Sequence, residues 1–250
     1  MVMSVQQPAL PRLNKFLADS GIDSRRRVEE LILQGRVTVD GECVQNLAVR
    51  VDPDRQSICV DGQKIRSERK VYFLVNKPKG YVCTNGVEDS GRRVIDLLSR
   101  VPQRIYTIGR LDKTSEGLMI LTNDGAIAHR LSHPRFMVEK SYLVQIRGRI
   151  EIPMINKLRK GVWLSVGKVH PHRMRIKRFR GSITELEIVL TEGKNREIRR
   201  MLASVDYQVV NLKRTAFAGL KLSGLASGKS RKLTHEEIKR IQQIAYRKKS

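Results

Sequence analysis

The amino-acid sequence predicts an α+β protein, with a small N-terminal module followed by a larger, mainly antiparallel domain. Two short helical patterns come first and are followed by short strands with Asp-Gly turns. A charged link, RSERK, ends this pattern near Lys70, and strand-like and helical segments then follow one another without a regular order. Such a mixture is typical of α+β architecture. The 250 residues suit one large domain or two smaller ones, and an apolar content of 40% is enough to bury a core.

The first helix is predicted in PRLNKFLADSG. Its apolar residues Leu13, Phe16 and Leu17 fall on one helical face. Gly21 follows where a helix commonly ends in the left-handed conformation. We therefore expect a short helix that buries this face.

The second helix is predicted to begin after Ser24, which is a favourable N-cap, and to end at Gly35. Its opening turn contains Arg25, Arg26 and Arg27. Cations at this end oppose the helix dipole, so a bound external anion is favoured over a merely solvated helix start. The three arginines are therefore candidate phosphate ligands.

Two strand pairs should follow the helices, in VTVDGECV and SICVDGQKI, because each has an Asp-Gly turn signal. Two helices, an arginine cluster and short strands resemble the S4-type RNA-binding domain over residues 11–66. The resemblance implies that this module binds RNA.

The larger domain is predicted over residues 71–227. It begins with the apolar strand and turn of VYFLVNKPKG. Further strands are expected in YLVQIRG, RMRIK and ELEIVL, and helices in IPMINKLRKG and NREIRRMLASV. Residues 228–250 are interpreted as a basic C-terminal tail with a short helix and no assigned chemistry.

One strand of this domain alternates basic and apolar residues, which would place Arg173, Arg175 and Lys177 on one face. No acidic residue interrupts the segment from Lys168 to Arg180. A solvated face usually mixes both signs of charge, so the sequence favours RNA contact over a solvated sheet face.

The charge of the chain points to nucleic acid. The 49 lysines and arginines exceed the 25 acidic residues by 24, and such an excess attracts polyanions by counterion release. Residues 11–70 hold 12 bases and 10 acids, so nearly all of the excess lies elsewhere. RNA contact should therefore extend well beyond the first module.

Several other classes of protein are disfavoured. The sequence has no run of eighteen apolar residues and no basic, apolar leader, so we expect a cytoplasmic protein without membrane association. Cys43, Cys59 and Cys83 are odd in number and widely spaced, and are interpreted as reduced, mostly buried thiols. No Gly-x-x-x-x-Gly-Lys-Ser/Thr phosphate loop occurs.

Two further short patterns have simple structural interpretations. His129 and His133 stand four residues apart and could share a helical face for metal or acid-base work, which leaves a nuclease as an alternative. The glutamate of a His-Glu-x-x-His site is missing. Asp124 is predicted to cap the helix that follows it.

The most informative segment is GRLDKTSEGLMILTNDG, which contains Asp112. By itself, this aspartate could simply cap a helix, with Ser115 and Glu116 in the first turn. The segment is followed by KSYLV, with Tyr142, and by EGKNREIRRML, with Arg199. Together with NKPKG and the first module, these motifs resemble the bacterial ribosomal RNA pseudouridine synthases from about residue 13 to residue 233.

This resemblance implies the site residues. Asp112 would be the catalytic aspartate, Tyr142 the aromatic residue that stacks on the target base, and Arg199 the partner of the aspartate. Arg110 would help to hold the base out of its stack. The further RNA-binding residues expected in this domain are Lys77, Lys194, Arg196 and Arg200.

The implied reaction breaks the bond between ribose and nitrogen 1 of uracil, turns the base and rejoins it through carbon 5. An aspartate is ionised at neutral pH, and a guanidinium such as that of Arg199 would keep it ionised and oriented. The carboxylate could add to the sugar or abstract a ribose proton, and both routes stay open. No metal or organic cofactor is implied.

Two residues depart mildly from the family pattern. Ser115 stands where threonine is frequent and keeps the hydroxyl, whereas Glu197 stands where glutamine is frequent and adds an anion. Neither replaces the proposed catalytic aspartate.

The sequence thus predicts a monomeric enzyme that isomerises a uridine of ribosomal RNA, either free or in an assembly particle. The large ribosomal subunit is preferred as the source of that RNA. The alternatives are a synthase for the small subunit and a non-catalytic RNA-binding protein of ribosome assembly. The joint presence of Asp112, Tyr142 and Arg199 argues against the second alternative, because binding alone does not require them.

Overall fold

The computed structural model describes residues 10–84, 91–98, 101–165 and 167–247. The chain divides into two compact units. The first comprises Met1–Lys70 with Pro102–Arg104, and the second comprises Val71–Val101 with Ile105–Ser250.

The first unit contains two helices and a small sheet. Helix α1 spans Leu13–Asp19 and α2 spans Arg25–Leu33, and Ser24 Oγ accepts a hydrogen bond from the Arg27 backbone N–H at 3.3 Å. The strands are β1 (Val37–Val39), β2 (Glu42–Cys43), β3 (Ile58–Val60) and β4 (Gln63–Lys64). They form an antiparallel sheet in the order β2-β1-β3-β4. Both predicted helices are confirmed.

The predicted hairpin turns are also confirmed. Asp40 and Gly41 have φ angles of 54° and 90°, and Asp61 and Gly62 have φ angles of 48° and 76°. Two successive residues with positive φ make the tight turn that suits the twist of a hairpin, and Asp-Gly tolerates it. A core of apolar side chains, including Leu13, fills the space between helices and sheet.

The second unit mixes helices and strands, as the sequence predicted. Its helices are α3 (Gly125–Ser132), α4 (Ile152–Lys160), α5 (Glu197–Ala203) and α6 (His235–Tyr246). Its strands are β5 (Tyr72–Lys77), β6 (Tyr106–Thr107), β7 (Glu116–Thr122), β8 (Lys140–Arg147), β9 (Val162–Leu164), β10 (Gly167–Val169), β11 (Arg173–Arg180), β12 (Ile183–Leu190), β13 (Val209–Phe217), β14 (Leu220–Lys221) and β15 (Ser230–Lys232).

Strands of this unit form a large twisted sheet in the order β11-β12-β8-β13-β7-β5-β15, with β14 beside β13 and β6 beside β7. The pairing of β13 with β7 is parallel, and the other pairings of this sheet in the described residues are antiparallel. The mainly antiparallel sheet is therefore confirmed. Gly117, with φ 111°, allows β7 to approach β13, because a Cβ there would collide with the backbone of Arg214.

The two faces of the sheet carry separate cores. Residues such as Phe73 and Val75 of β5 enter one core, and their neighbours Tyr72 and Leu74 enter the other. This alternation follows from the period of two along a strand. The first and larger core includes residues of α4 and α5, and the second includes residues of α3 and α6.

The segment interpreted as a tail is part of this unit. Strand β15 pairs with β5, and Ile241 and Ala245 of α6 are buried in the second core. The expected short helix is present, but the structure places residues 230–246 within the sheet and its packing rather than apart from them. The sequence pattern did not reveal this because β15, SRK, contains no apolar residue.

The predicted basic face of β11 needs two corrections. The register shifts between Ile176 and Arg178, so Lys177 lies at an irregularity and Arg178 continues the face of Arg175. The arginines also have acidic partners: Arg173 pairs with Glu139 at 2.8 Å, Arg175 with Glu187, and Arg178 with Glu185. The face therefore mixes both signs of charge, which removes the reason for predicting RNA contact there.

The expectation of buried thiols is only partly met. The three cysteines are free, but Cys43 is exposed, and Cys59 and Cys83 are half-buried. Among the described residues, no helix has the length and apolar character needed to cross a membrane.

Candidate active site

Asp112 lies in a loop that leads into strand β7. No helix begins there, so the helix-cap interpretation of Asp112 is wrong, whereas Asp124 does cap α3 through the backbone N–H groups of Ala126 and Ile127. The Asp112 carbonyl accepts a hydrogen bond from the Ser115 N–H at 3.0 Å. A tight turn therefore holds the aspartate, and its side chain stays one-third exposed.

The side chain of Lys77 stabilises this turn through hydrogen bonds to its backbone carbonyls. Its side chain is fully buried, and Nζ donates to the carbonyls of Ser115 (2.6 Å), Asp112 (3.0 Å) and Pro78 (3.2 Å). Burial lowers the pKa of this ammonium. The structure gives no support to the prediction that Lys77 binds RNA, because all three N–H donors of its ammonium are used by backbone carbonyls. Lys77 instead fixes the backbone that presents Asp112.

Arg196 forms the ion pair with Asp112. The distance from its Nη1 to the carboxylate Oδ2 is 3.6 Å, and its side chain is 48% exposed. Its backbone is left-handed, with φ 49°, at the position just before α5. This conformation is costly for a residue with a Cβ and is often found at functional sites. The sequence predicts Arg196 as an RNA ligand, and the structure adds this contact with the aspartate.

Arg199, the partner predicted for Asp112, lies one turn further along α5. Its Nη1 donates to the carbonyl of Val209 at 3.2 Å, while its Nε is buried without a hydrogen-bond partner in the described structure. Burial lowers the pKa of Arg199, as does Arg196, whereas Asp112 acts in the opposite direction. Both arginines therefore interact electrostatically with the same carboxylate.

Tyr142 lies on β8 with its side chain buried in the larger core. It is opposite Ile188 on β12 and Arg214 on β13. The sheet register thus brings an aromatic ring to the same cavity as Asp112 and Arg199.

A small cavity of about 90 Å³ joins these residues, and Arg110, Ser115 and Leu212 are also in its wall. An open cleft of about 610 Å³ adjoins it and also contains Asp112, Arg110 and Arg196 in its lining. The Ser115 hydroxyl is fully buried and has no hydrogen-bond partner in the described part of the chain. Buried polar groups are normally paired. The unpaired Ser115 Oγ and Arg199 Nε are therefore suited to a bound ligand.

Two buried residues near this cavity were missed by sequence reasoning. Lys140 Nζ donates to the carbonyls of Val138 (3.1 Å) and Glu192 (3.3 Å), and Arg214 Nε donates to the Leu118 carbonyl at 2.6 Å. Lys140 lies two residues before Tyr142 on the same strand, so the period of two could have predicted its inward direction. Arg214 likewise lies two residues after the buried Leu212 on β13, so the same period could have predicted its inward direction.

Burial lowers the pKa of Lys140 to about 8, with Arg214 adding to the effect and Glu197 opposing it. Glu197 is itself buried and accepts a hydrogen bond from the Lys194 N–H at 2.9 Å, and burial raises its pKa. Its carboxylate therefore bonds to the backbone of the site loop.

The Lys140→Met variant should change the pH dependence of stability. The unfolded chain, with an ordinary lysine pKa of 10.5, binds more protons than the folded chain above pH 8, so burial of Lys140 becomes less costly as pH rises. Between about pH 7.5 and pH 10, the free energy of unfolding of wild type, measured with denaturant, should rise by roughly 2–3 kcal/mol relative to that of Lys140→Met. If the difference in unfolding free energy between the two proteins were the same at both pH values, the lowered pKa of Lys140 would be contradicted.

The remaining predicted residues are distributed over both units. Arg110 is exposed at the cavity, and Lys194 lies in the loop before α5. Arg200 lies within α5 and donates to the side-chain carbonyl of Asn195 at 3.2 Å. The three arginines that open α2 are exposed in the first unit: Arg25, Arg26 and Arg27. Their roles stay predictions.

No cluster of three or more potential metal ligands occurs in the described ranges. His129 and His133 have ring centroids 5.2 Å apart, and both rings also pack near Phe136. The arrangement is that of an aromatic cluster at the C-terminal end of α3 and in the turn that follows it.

The fold and the site define a class of enzyme in which a mainly antiparallel sheet presents a carboxylate, two arginines and an aromatic ring to one small cavity. Comparison with known proteins identifies the class. The family of RNA pseudouridylate synthases matches residues 71–204, and the S4 domain family matches residues 11–57.

Relatives extend the match over nearly the whole chain. The ribosomal large subunit pseudouridine synthase B of Bacillus subtilis is 41% identical over 241 residues, which cover 94% of this chain and 97% of that protein. An RNA pseudouridine synthase of Aquifex aeolicus is 40% identical, with coverage of 92% and 93%. A crystal structure of a pseudouridylate synthase superposes with a TM-score of 0.66 at 27% identity, covering 92% and 99% of the two chains. The chain belongs to the RNA pseudouridylate synthase family and carries an N-terminal S4 domain.

Proposed function

We propose that this enzyme isomerises a uridine of ribosomal RNA, and specifically of the large ribosomal subunit. The similarity to the large-subunit synthase of Bacillus subtilis supports this choice of RNA. The net charge of +24 and the S4 domain support a large polyanionic substrate. Residues 11–66 would bind the RNA, and residues 71–227 would carry the chemistry.

One observation carries the assignment of the site. Ser115 Oγ and Arg199 Nε are buried and unpaired in the described chain, in the wall of the cavity that Asp112 also lines. A flipped uridine would supply carbonyl, imide and ribose hydroxyl groups to such partners. Extrusion of the base costs a few kcal/mol, and Tyr142 would return part of this by stacking.

In the proposed reaction, the ionised Asp112 attacks the sugar or removes a ribose proton while the bond from ribose to nitrogen 1 breaks. The uracil turns in the cavity, a carbon bond forms through carbon 5, and the hydrogen from carbon 5 leaves as a proton. Reactant and product are isomers, so electrons balance without an oxidant or reductant. Arg196 pairs with the carboxylate and orients it, and Arg199 adds positive charge beside it.

A tritium-release assay tests this proposal. Large-subunit ribosomal RNA transcribed with tritium on carbon 5 of uridine should release tritium to water when wild-type enzyme is added. Sequencing of the RNA from a strain lacking the gene should show one missing pseudouridine relative to its parent. Absence of release from large-subunit RNA, with release from small-subunit RNA, would overturn the choice of subunit. Strand cleavage without release would instead indicate a nuclease.

Binding to this RNA is expected to be strongly salt-dependent. A protein that contacts several phosphates releases their counterions, so affinity falls steeply with salt concentration. We expect roughly a thousandfold weaker binding at about 200 mM than at about 50 mM monovalent salt, measured by filter binding. A change of less than about tenfold would contradict extensive phosphate contact.

We also propose that the enzyme acts as a monomer in the cytoplasm, where bacterial ribosomal RNA is made. The substrate could be free RNA or an assembly particle, and tritium release from each measures the preference. Light scattering at assay concentration tests the monomer.

A further inference from the structure

Trp163 lies on the outward face of the hairpin formed by β9 and β10, and 79% of its surface is exposed. Val162 and its partner Val169 are buried in the larger core, so the hairpin is anchored by one face. Lys168 is the cross-strand partner of Trp163, so its side chain lies on the same outward face of the hairpin, where it is exposed. An indole offers a large apolar surface that is suited to covering by a partner.

The hairpin is connected directly to the active-site loop. Lys194 Nζ donates to the Lys168 carbonyl at 2.9 Å and forms an ion pair with Glu192 at 3.1 Å. Lys194 also lies in the wall of both the cavity and the cleft that contain Asp112. The side chain of Lys194 therefore links the wall of the cavity to the backbone of the hairpin.

The surroundings of Trp163 in the sequence are basic. The stretch from residue 152 to residue 184 contains no aspartate or glutamate. Lys157 and Lys160, in the last turn of α4 before the hairpin, are exposed, as is Lys168. Positive charge and an accessible aromatic ring are the two features by which proteins bind unpaired nucleotides.

We propose that Trp163 is a stacking platform for an unpaired nucleotide of the substrate RNA that flanks the target uridine. This inference rests on the proposed function and adds a recognition residue outside the catalytic cavity. The indole stacks on the base while Lys168 and the end of α4 contact the adjoining phosphates. Stacking has little sequence preference, so this contact contributes affinity and position more than base identity.

Intrinsic fluorescence gives a direct test, because Trp163 is the single tryptophan of the chain. Unmodified large-subunit ribosomal RNA should quench the emission of the wild-type protein as binding saturates. Binding measured in parallel by filter retention should follow the same curve. Saturated binding without a change in emission would overturn the proposal.

Trp163→Ala should bind the same RNA about 5- to 100-fold more weakly, and Trp163→Phe should keep most of the affinity. Ile152→Ala is the matched control, because Ile152 is a 62% exposed apolar residue at the opposite end of α4. The affinity of Ile152→Ala for this RNA should equal that of wild type. Equal losses in Trp163→Ala and Ile152→Ala, or none in Trp163→Ala, would overturn the stacking role.

Single-turnover tritium release separates this inference from the proposed function. With saturating enzyme, the loss of rate in Trp163→Ala should be smaller than its loss of affinity, since the residues that line the cavity are unchanged. Failure of wild type to release tritium would overturn the proposed function, while the fluorescence titration would still report on Trp163. Vesicles of phosphatidylglycerol should leave the emission unchanged, and a response to vesicles but not to RNA would identify a membrane contact and overturn the inference.

Discussion

Asp112→Asn is expected to abolish tritium release from large-subunit ribosomal RNA while RNA binding stays close to that of wild type. The substitution keeps the size of the side chain and removes the anion that either chemical route requires. It also leaves the Asp112 carbonyl, which Lys77 and Ser115 contact, in place. We expect the single-turnover rate to fall by on the order of 10³-fold or more.

Asp206→Asn is the matched control for this variant. Asp206 is an exposed carboxylate just after α5, with a left-handed φ of 64° that asparagine also tolerates. The Asp206→Asn variant should release tritium at the wild-type single-turnover rate. If Asp112→Asn released tritium at a rate similar to that of Asp206→Asn, Asp112 would have no catalytic role.

Arg199→Met is expected to show the second largest loss, with the single-turnover rate falling about a hundredfold. The guanidinium of Arg199 is more buried than that of Arg196, so its attraction to charge in the cavity is less screened by water. Methionine has a similar length but supplies neither charge nor donors. The variant also loses the hydrogen bond to the Val209 carbonyl, which should cost about 1 kcal/mol of stability.

Arg196→Met provides the comparison for this prediction. Its side chain is 48% exposed, so its ion pair with Asp112 should be largely screened and its loss should reduce the rate by about tenfold or less. Denaturant unfolding of both variants separates loss of activity from loss of folding. A folded Arg199→Met with nearly wild-type rate, beside an inactive Arg196→Met, would show that catalysis requires Arg196 and not Arg199.

The local structure of the chain could be predicted with simple rules. Ser24 caps α2, the Asp40-Gly41 turn joins β1 and β2, and Asp124 caps α3. These features depend on a few adjacent residues, through hydrogen bonds and backbone angles that short sequence patterns encode. The same rules gave the wrong answer at Asp112, because a turn that leads into a strand contains the same residue types as the start of a helix.

The charge of a side chain was predictable, but its partner and its burial were not. The sequence predicts Lys77 as an RNA ligand and assigns no role to Lys140 or Arg214. Each of the three is buried and donates to a backbone carbonyl of a distant segment. The glutamates that pair with the β11 arginines come from β12 and from the residue before β8. Such contacts follow from the strand order and the register, which no local pattern specifies.

By itself, the sequence determined the helices, the hairpins, the α+β class and the family, because these depend on local periodicity and on motifs in a given order. The tertiary structure decided which groups meet around Asp112. The pairing of β13 with β7 and β8, and the packing of α5, bring Arg196, Arg199 and Tyr142 to one cavity. Segments that are far apart along the chain become neighbours only when the sheet assembles and its faces are buried, so a partner of Asp112 could be identified only in the folded protein.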